Sequence, residues 1–398
     1  MSQKKKWMKY RHRVIRNIAA CTLGVYIRHR YGVKVEPFRE QGDRQYLIVM
    51  NHTTAADQFL VGMAFKGPVY YIASEDLFSN GWVSKLLSWA VAPIPIKKQT
   101  VDVHAVANCI RVAREGGTIA LAPEGNRTYF GKTAHIKPSI VKLVRKLGLP
   151  LAIFRIEGGY GVQPRWSDVI RKGAMRAYVA RVVEPEEYAA MTDEQLFAFL
   201  QEQIDVNEAA VTGTYEHPEN AQYLERLIYV CPECGLSEFE SRGDLIQCKK
   251  CGFFCRHKPT KELAGVGEEI PFRFVADWYQ YQCDFVNRLD LTQYLDTPMY
   301  RDEVQFSEVL LYKKKNRLMK KAEMQLFGDR IIVGGQEIPF SSVTGTTVLG
   351  RNKLNVYCGD KLWQMKGDKR FNAIKYMNMV YRYKNMNEGD GNGEFLGF

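Results

Sequence analysis

Tyr46-Leu47-Ile48-Val49-Met50-Asn51-His52-Thr53-Thr54-Ala55-Ala56-Asp57 is the stretch on which the fold turns. Its first five residues are a short, β-branched-rich apolar run that stops at polar residues, the pattern of a strand buried on both faces. A helical pattern follows over 58–65, so His52 is expected in a strand–helix turn and Asp57 at the start of the helix. Thr118-Ile119-Ala120-Leu121-Ala122 repeats the arrangement, ending in Pro123-Glu124-Gly125-Asn126-Arg127-Thr128. Further strands are expected at 69–72, 94–96, 151–156 and 177–183, and helices at 83–90, 103–114 and 139–147. A helix is also expected after Thr192, where Gln195 completes a capping box. Strands alternating with helices predict an α/β layer with a largely parallel sheet flanked by helices. In such sheets ligands collect beyond the carboxyl ends of the strands, where both polar clusters stand.

The residue types in these clusters suit one chemistry. A carboxylate on one imidazole nitrogen sets the tautomer and leaves the other to accept a proton, the role expected of Asp57 and His52. Gly125 allows close backbone approach, and Arg127 offers a planar fork of donors suited to phosphate. Glu124 is placed to orient that arginine or a substrate hydroxyl. Ala92-Pro93-Ile94-Pro95-Ile96-Lys97-Lys98 puts two more cations at a strand end. Taken together, the order and setting of these blocks resemble the glycerolipid acyltransferases, the 1-acylglycerol-3-phosphate (PlsC-like) family. The His-x4-Asp box is His52 and Asp57, and Pro123, Glu124, Gly125 and Arg127 match the Pro-Glu-Gly-Thr-Arg block. Pro150-Leu151-Ala152-Ile153 matches a fourth block, while Lys98 stands where that family has Arg and Asn126 where it has Thr. The resemblance covers about residues 35–210. It implies His52 and Asp57 as catalytic residues, with Lys98, Glu124, Gly125 and Arg127 binding a lysophospholipid acceptor. The implied donor is an acyl thioester of coenzyme A or of acyl carrier protein.

The chain has 398 residues, more than one ordinary core needs, and a formal net charge of +12 that calls for an anionic partner. No acidic residue lies between Lys4 and Lys34. The apolar run 18–27 within that segment is shorter than the roughly 20 residues needed to span a bilayer. It suits a helix in the membrane interface, with Trp7, Tyr10 and Tyr26 at headgroup depth, or else a helix packed on the domain. Arg16 and Asn17 interrupt the apolar region ahead of Cys21, against a secretion signal. The expected location is the cytoplasmic face of a membrane, as a peripheral protein.

Nine cysteines, an odd number and mostly clustered, argue against a disulfide framework. Cys231-Pro232-Glu233-Cys234 and Cys248-Lys249-Lys250-Cys251 are two Cys-x-x-Cys knuckles, which predict a zinc ribbon with a structural ion. Beyond an aromatic helix expected over 272–289, Gly-Asp and Gly-Gly turns separate short strands expected at 308–312, 322–326, 330–333, 353–357 and 361–365. A helix over 371–383 would close a pleckstrin-homology-like half-barrel. Lys313-Lys314-Lys315 and Lys320-Lys321 in this region are read as solvated turns or as contacts to anionic lipid.

The expected organisation is a basic membrane-contacting helix (1–35), an acyltransferase domain (36–212) and a zinc ribbon (223–260). A helix plus β module (270–385) and a flexible tail (386–398) follow, and 213–222 reads as a linker. Two other classes fit the sequence less well. A nucleic-acid-binding ribbon protein is disfavoured because the ribbon carries mixed charge. A silent lipid-binding scaffold has no use for a base at His52.

Overall fold

The computed structural model describes residues 6–96, 102–267, 269–310 and 315–388. Lys98, Lys313, Lys314 and residues 389–398 lie outside the described residues. Two compact units are present. The first runs to Pro164 and takes in Ile170–Tyr215; the second holds Arg165–Val169 and the residues from Glu216 on.

The first unit contains helices α1 (Tyr10–Cys21), α2 (Leu23–Tyr31), α3 (Asp57–Ala64), α4 (Trp82–Val91), α5 (Val103–Arg114), α6 (Ser139–Leu147), α7 (Gly159–Val162), α8 (Pro185–Ala189) and α9 (Asp193–Ile204). Its strands are β1 (Val33–Val35), β2 (Leu47–Met50), β3 (Val69–Ser74), β4 (Ile94–Ile96), β5 (Thr118–Leu121), β6 (Leu151–Glu157) and β7 (Met175–Val183). They form one sheet in the order β1-β7-β6-β2-β5-β3-β4. Strands β4, β3, β5, β2 and β6 are mutually parallel, and β7 pairs antiparallel with β6.

Strict alternation along β2 builds two cores. Ile48 and Met50 point to one face with Leu60, Val61 and Ala64 of α3. Leu47 and Val49 point to the other with Val112 of α5, Val144 of α6 and Leu200 of α9. A strand covered on both faces must be apolar throughout, which is why β2 reads as an unbroken run. Thr192 and Gln195 form the expected capping box, with Gln195 N donating to Thr192 Oγ1 at 3.2 Å and Thr192 N to Gln195 Oε1 at 2.8 Å.

The N-terminal helix is docked on this unit along one side. Trp7 donates its indole N–H to Ala92 O at 3.1 Å, and the backbone N–H groups of Trp7 and Met8 donate to Glu115. Arg16 donates to Gly62 O and Phe65 O, the carbonyls that end α3, where a cation also meets the negative end of the helix dipole. Trp7 thus turns inward, whereas Tyr10 and Tyr26 are exposed. Tyr215, in the stretch expected to be a linker, is instead buried against Gly161 and Gly173. Among the described residues no helix is long and apolar enough to cross a membrane.

In the second unit, β8 (Val230–Cys231) and β9 (Gly235–Leu236) form a small hairpin. The sheet β10 (Phe239–Arg242), β11 (Leu245–Cys248), β12 (Phe254–His257) and β13 (Leu263–Gly265) follows. Helix α10 (Val275–Arg288) packs on this ribbon through Trp278. That indole stacks on Phe272 at 5.4 Å, meets Phe239 and Phe253 edge-on, and donates to Val230 O at 2.9 Å. A seven-stranded antiparallel sheet completes the unit: β14 (Tyr300–Glu308), β15 (Asn316–Leu326), β16 (Arg330–Val333), β17 (Gln336–Pro339), β18 (Gly345–Leu349), β19 (Lys353–Cys358) and β20 (Lys361–Lys366). Helix α11 (Ala373–Glu388) closes the half-barrel and runs past Met386, where a flexible tail was expected to begin.

Candidate active site

Strand β2 leads through α3 to β3 on one side of it, whereas β5 leads through α6 to β6 on the other. The chain therefore reverses direction between β2 and β5, and the loops leaving these neighbours diverge to opposite faces. That opens a crevice at the carboxyl edge, the general ligand position of such sheets. His52 leaves β2 into it and Glu124 leaves β5.

Asp57 opens α3, as expected, and its side chain is fully buried. Its Oδ2 lies 2.7 Å from His52 Nδ1. The carboxylate also accepts the backbone N–H of Thr53 at 2.7 Å, that of Thr54 at 3.0 Å, and the Thr54 hydroxyl at 2.5 Å. These donors, together with the positive end of the α3 dipole, hold it as an acceptor. His52 must then present Nδ1–H to Asp57, which leaves Nε2 to take a proton. The imidazole is 25 % exposed, so the base reaches the crevice while its partner does not.

Two residues brace this pair against the strands alongside. Asn51 forms a two-way clamp on β6, with Nδ2 donating to Ile156 O at 2.8 Å and Oδ1 accepting from Ile156 N at 2.9 Å. Glu124 accepts from His52 N at 2.8 Å through one oxygen and from Ala134 N at 2.9 Å through the other. Thr128 N adds a bond to His52 O at 2.9 Å. Burial raises the Glu124 carboxyl to about 8, against the pull of its two backbone donors. Gly125 adopts φ +68 with open space where a Cβ would lie, so conformation rather than crowding requires glycine there. Arg127 is half-buried two residues further on. Lys98, the remaining expected substrate residue, lies outside the described residues.

The crevice has a floor that the sequence reading passed over. A Cβ on Gly159 would lie 2.2 Å from Thr53 Oγ1, so the His52 loop rests directly on the start of α7. Gln163 Oε1 accepts from Ala55 N at 3.3 Å and from the Tyr31 hydroxyl at 3.2 Å, tying the loop to α2. The signal was the Gly158-Gly159-Tyr160-Gly161 run just after a strand, a place where backbone approaches closely. Gly159→Ala is expected to displace His52 and to lower kcat about a hundredfold, since misplacement by 1 Å is worth that much. Kinetics and thermal melting of this variant check the expectation; an unchanged kcat would remove the floor from the site.

In the second unit the Sγ atoms of Cys231, Cys234, Cys248 and Cys251 all lie within 4.8 Å of one another. The pairs Cys231–Cys251 and Cys234–Cys248 stand 3.5 and 3.6 Å apart, far beyond a disulfide bond of about 2.05 Å. They are close to the roughly 3.8 Å that Zn–S bonds of 2.3 Å give in a tetrahedron. Burial pushes the Cys248 thiol up, but hydrogen bonds from Ser237 and from backbone N–H groups bring it down, to about 6. Donors aimed at sulfur are what a metal-bound thiolate needs. Cys255 and His257 are buried and outside the cluster.

Residues 31–156 match the Acyltransferase family. A 1-acyl-sn-glycerol-3-phosphate acyltransferase of Borreliella burgdorferi is 28 % identical over 113 residues, 27 % of this chain and 45 % of that protein. The chain thus spans less than half the length of that relative. A DNA-directed RNA polymerase subunit 12-like protein of Arabidopsis thaliana is 40 % identical over 40 residues, 10 % of this chain and 66 % of that protein. Among solved structures, the 1-acyl-sn-glycerophosphate acyltransferase PlsC of Thermotoga maritima aligns with 48 % of this chain and 91 % of its own at 19 % identity, TM-score 0.37. The N-terminal PH domain of human ARAP2 aligns with 22 % of this chain and 82 % of its own at 16 % identity, TM-score 0.18. Residues 31–156, which carry His52, Asp57 and the Pro123–Arg127 block at the mouths of adjacent strands, are thus the part of this chain that matches the Acyltransferase family.

Proposed function

We propose that this protein moves a fatty acyl group from an acyl thioester to the hydroxyl of a lysophospholipid, with 1-acylglycerol-3-phosphate as acceptor and phosphatidic acid as product. The observation that carries this reading is the 2.7 Å contact between His52 Nδ1 and a fully buried Asp57 at the carboxyl edge of the sheet. His52 Nε2 takes the hydroxyl proton as the oxygen attacks the thioester carbonyl. The C–S bond then breaks, and the proton passes from His52 to the leaving thiolate. Asp57 stabilises the imidazolium between these steps. Arg127, with Lys98, is assigned to the acceptor phosphate.

The deciding experiment is an acyl-transfer assay with coenzyme A and carrier-protein thioesters, comparing lysophosphatidate with monoacylglycerol. Transfer to lysophosphatidate supports the reading, and absence of transfer to any lysolipid ends it. Arg127→Ala is expected to raise the KM for the phosphorylated acceptor roughly tenfold or more with little change in kcat, because it holds ground and transition states alike. A lost kcat at unchanged KM would reassign the residue. The four thiolates fit a closed structural Zn2+, which would hold the ribbon without an open position for substrate.

A further inference from the structure

The second unit holds a cavity of about 440 Å³ between its ribbon and its seven-stranded sheet. That size falls within the roughly 300–1,000 Å³ of small-molecule pockets. The apolar part of its wall is Leu236, at the end of β9, with Pro298 and Met299 just ahead of β14. Lys249 and Lys250, between the cysteines of the second knuckle, and Arg301 on β14 bring three cations to the lining, and Glu238 is the one acidic residue there. The lining is therefore net positive by two charges, the balance a phosphate dianion needs.

The frame of this cavity is fixed, while its cationic tips are held loosely. The buried Tyr300 hydroxyl lies 3.2 Å from Tyr229 O and 3.4 Å from Ser237 O, which ties β14 to the ribbon. Lys249 N donates to Glu238 O at 2.9 Å and Gly252 N to Cys248 O at 3.1 Å, setting the backbone of the knuckle. By contrast, Lys249 Nζ stands 3.5 Å from Glu238 Oε2 and Lys250 Nζ 3.4 Å from Cys234 O. Charge-assisted bonds run at about 2.7–2.9 Å, so neither ammonium has a strong acceptor. Arg301 places Nη1 on Glu323, and its other nitrogens make no hydrogen bond among the described residues. Phosphate oxygens would give all three groups shorter bonds than they now make. Lysines on a turn are ordinarily just solvated, but here two of them and a strand arginine surround one cavity that also has an apolar wall.

We infer that this cavity binds a soluble phosphate ester, with Lys249, Lys250 and Arg301 on the phosphate and Leu236, Pro298 and Met299 against the organic part. A lipid headgroup offers the same phosphate, so the test separates the two sources. The site stands apart from the acyl-transfer reading and is tested without turnover, by calorimetry on the full zinc-loaded chain. ADP is expected to bind, inorganic pyrophosphate to bind more weakly because it lacks an apolar part, and adenosine not to bind. Rising salt should weaken both phosphates, since the cations are open to solvent. Lys250→Gln with Arg301→Gln is expected to weaken ADP roughly tenfold or more, with zinc content and melting unchanged. Met299→Glu, which leaves the knuckle untouched, should weaken ADP likewise by setting a carboxylate against the phosphate. Absence of binding of both ADP and pyrophosphate to wild type would overturn the inference, and so would undiminished ADP binding by both variants. Binding of phosphatidic acid vesicles but of neither soluble phosphate would assign the cavity to a lipid headgroup and overturn it as well.

Discussion

His52→Ala is expected to lower kcat by roughly 10²–10⁴-fold, the usual worth of a positioned general base, while leaving circular dichroism and thermal melting near wild type. The structure makes this a clean substitution. His52 is 25 % exposed at the end of β2, and the loop that carries it is held by other groups: Asp57 takes the N–H of Thr53 and Thr54, Glu124 takes that of His52 itself, and Asn51 is clamped to β6. Removing the ring leaves all of these in place. Asp57→Asn is not equivalent. The amide would turn an NH2 group towards donors that now converge on two carboxylate oxygens, so it would damage the loop together with the base. The measurement is single-turnover acyl transfer at saturating acceptor. A rate within tenfold of wild type would exclude His52 as the base.

Cys231→Ser, or removal of bound metal by a strong chelator, is expected to unfold the ribbon. One mole of zinc per chain should be present beforehand and lost with the fold. Structural zinc in small modules is worth on the order of 10 kcal/mol, comparable with the whole stability of a domain. The effect should spread, because Trp278 of α10 is caged by Phe239, Phe253 and Phe272 and bonded to Val230 O, so ribbon and helix share one core. Limited proteolysis should then cut within 229–258, while the first unit, with its own two cores, resists. Protein purified without chelator that holds no zinc and melts as before would refute a metal-held ribbon.

The sequence signal was strongest where burial and chemistry coincide. β2, β5 and β6 are covered on both faces, so they had to be continuous apolar runs, and the polar residues after them stood out. The Cys-x-x-Cys knuckles were equally plain, since a tetrahedral ion dictates both residue type and spacing. β14 and β15 were harder. Arg301, Asp302 and Glu303 interrupt β14, and every residue from Asn316 to Lys321 of β15 is exposed, so backbone pairing rather than an apolar period makes these strands. The brace around His52 was also hidden. Asn51, Glu124 and Gly159 act across 105, 72 and about a hundred residues of chain respectively, through backbone groups that no local pattern encodes.

Local sequence by itself therefore determined the α/β class, the His52–Asp57 pair and the four-thiolate cluster, because each follows from periodicity or spacing within a short segment. Only the tertiary structure decided which aromatic residues of the N-terminal segment face outward and which partner joins them. Trp7 finds a carbonyl beyond α4 and turns in, and the exposed stripe of α4 comes to lie beside that of α1. A helix shows its own amphipathic face in its sequence, but whether that face is covered depends on neighbours brought from elsewhere in the chain.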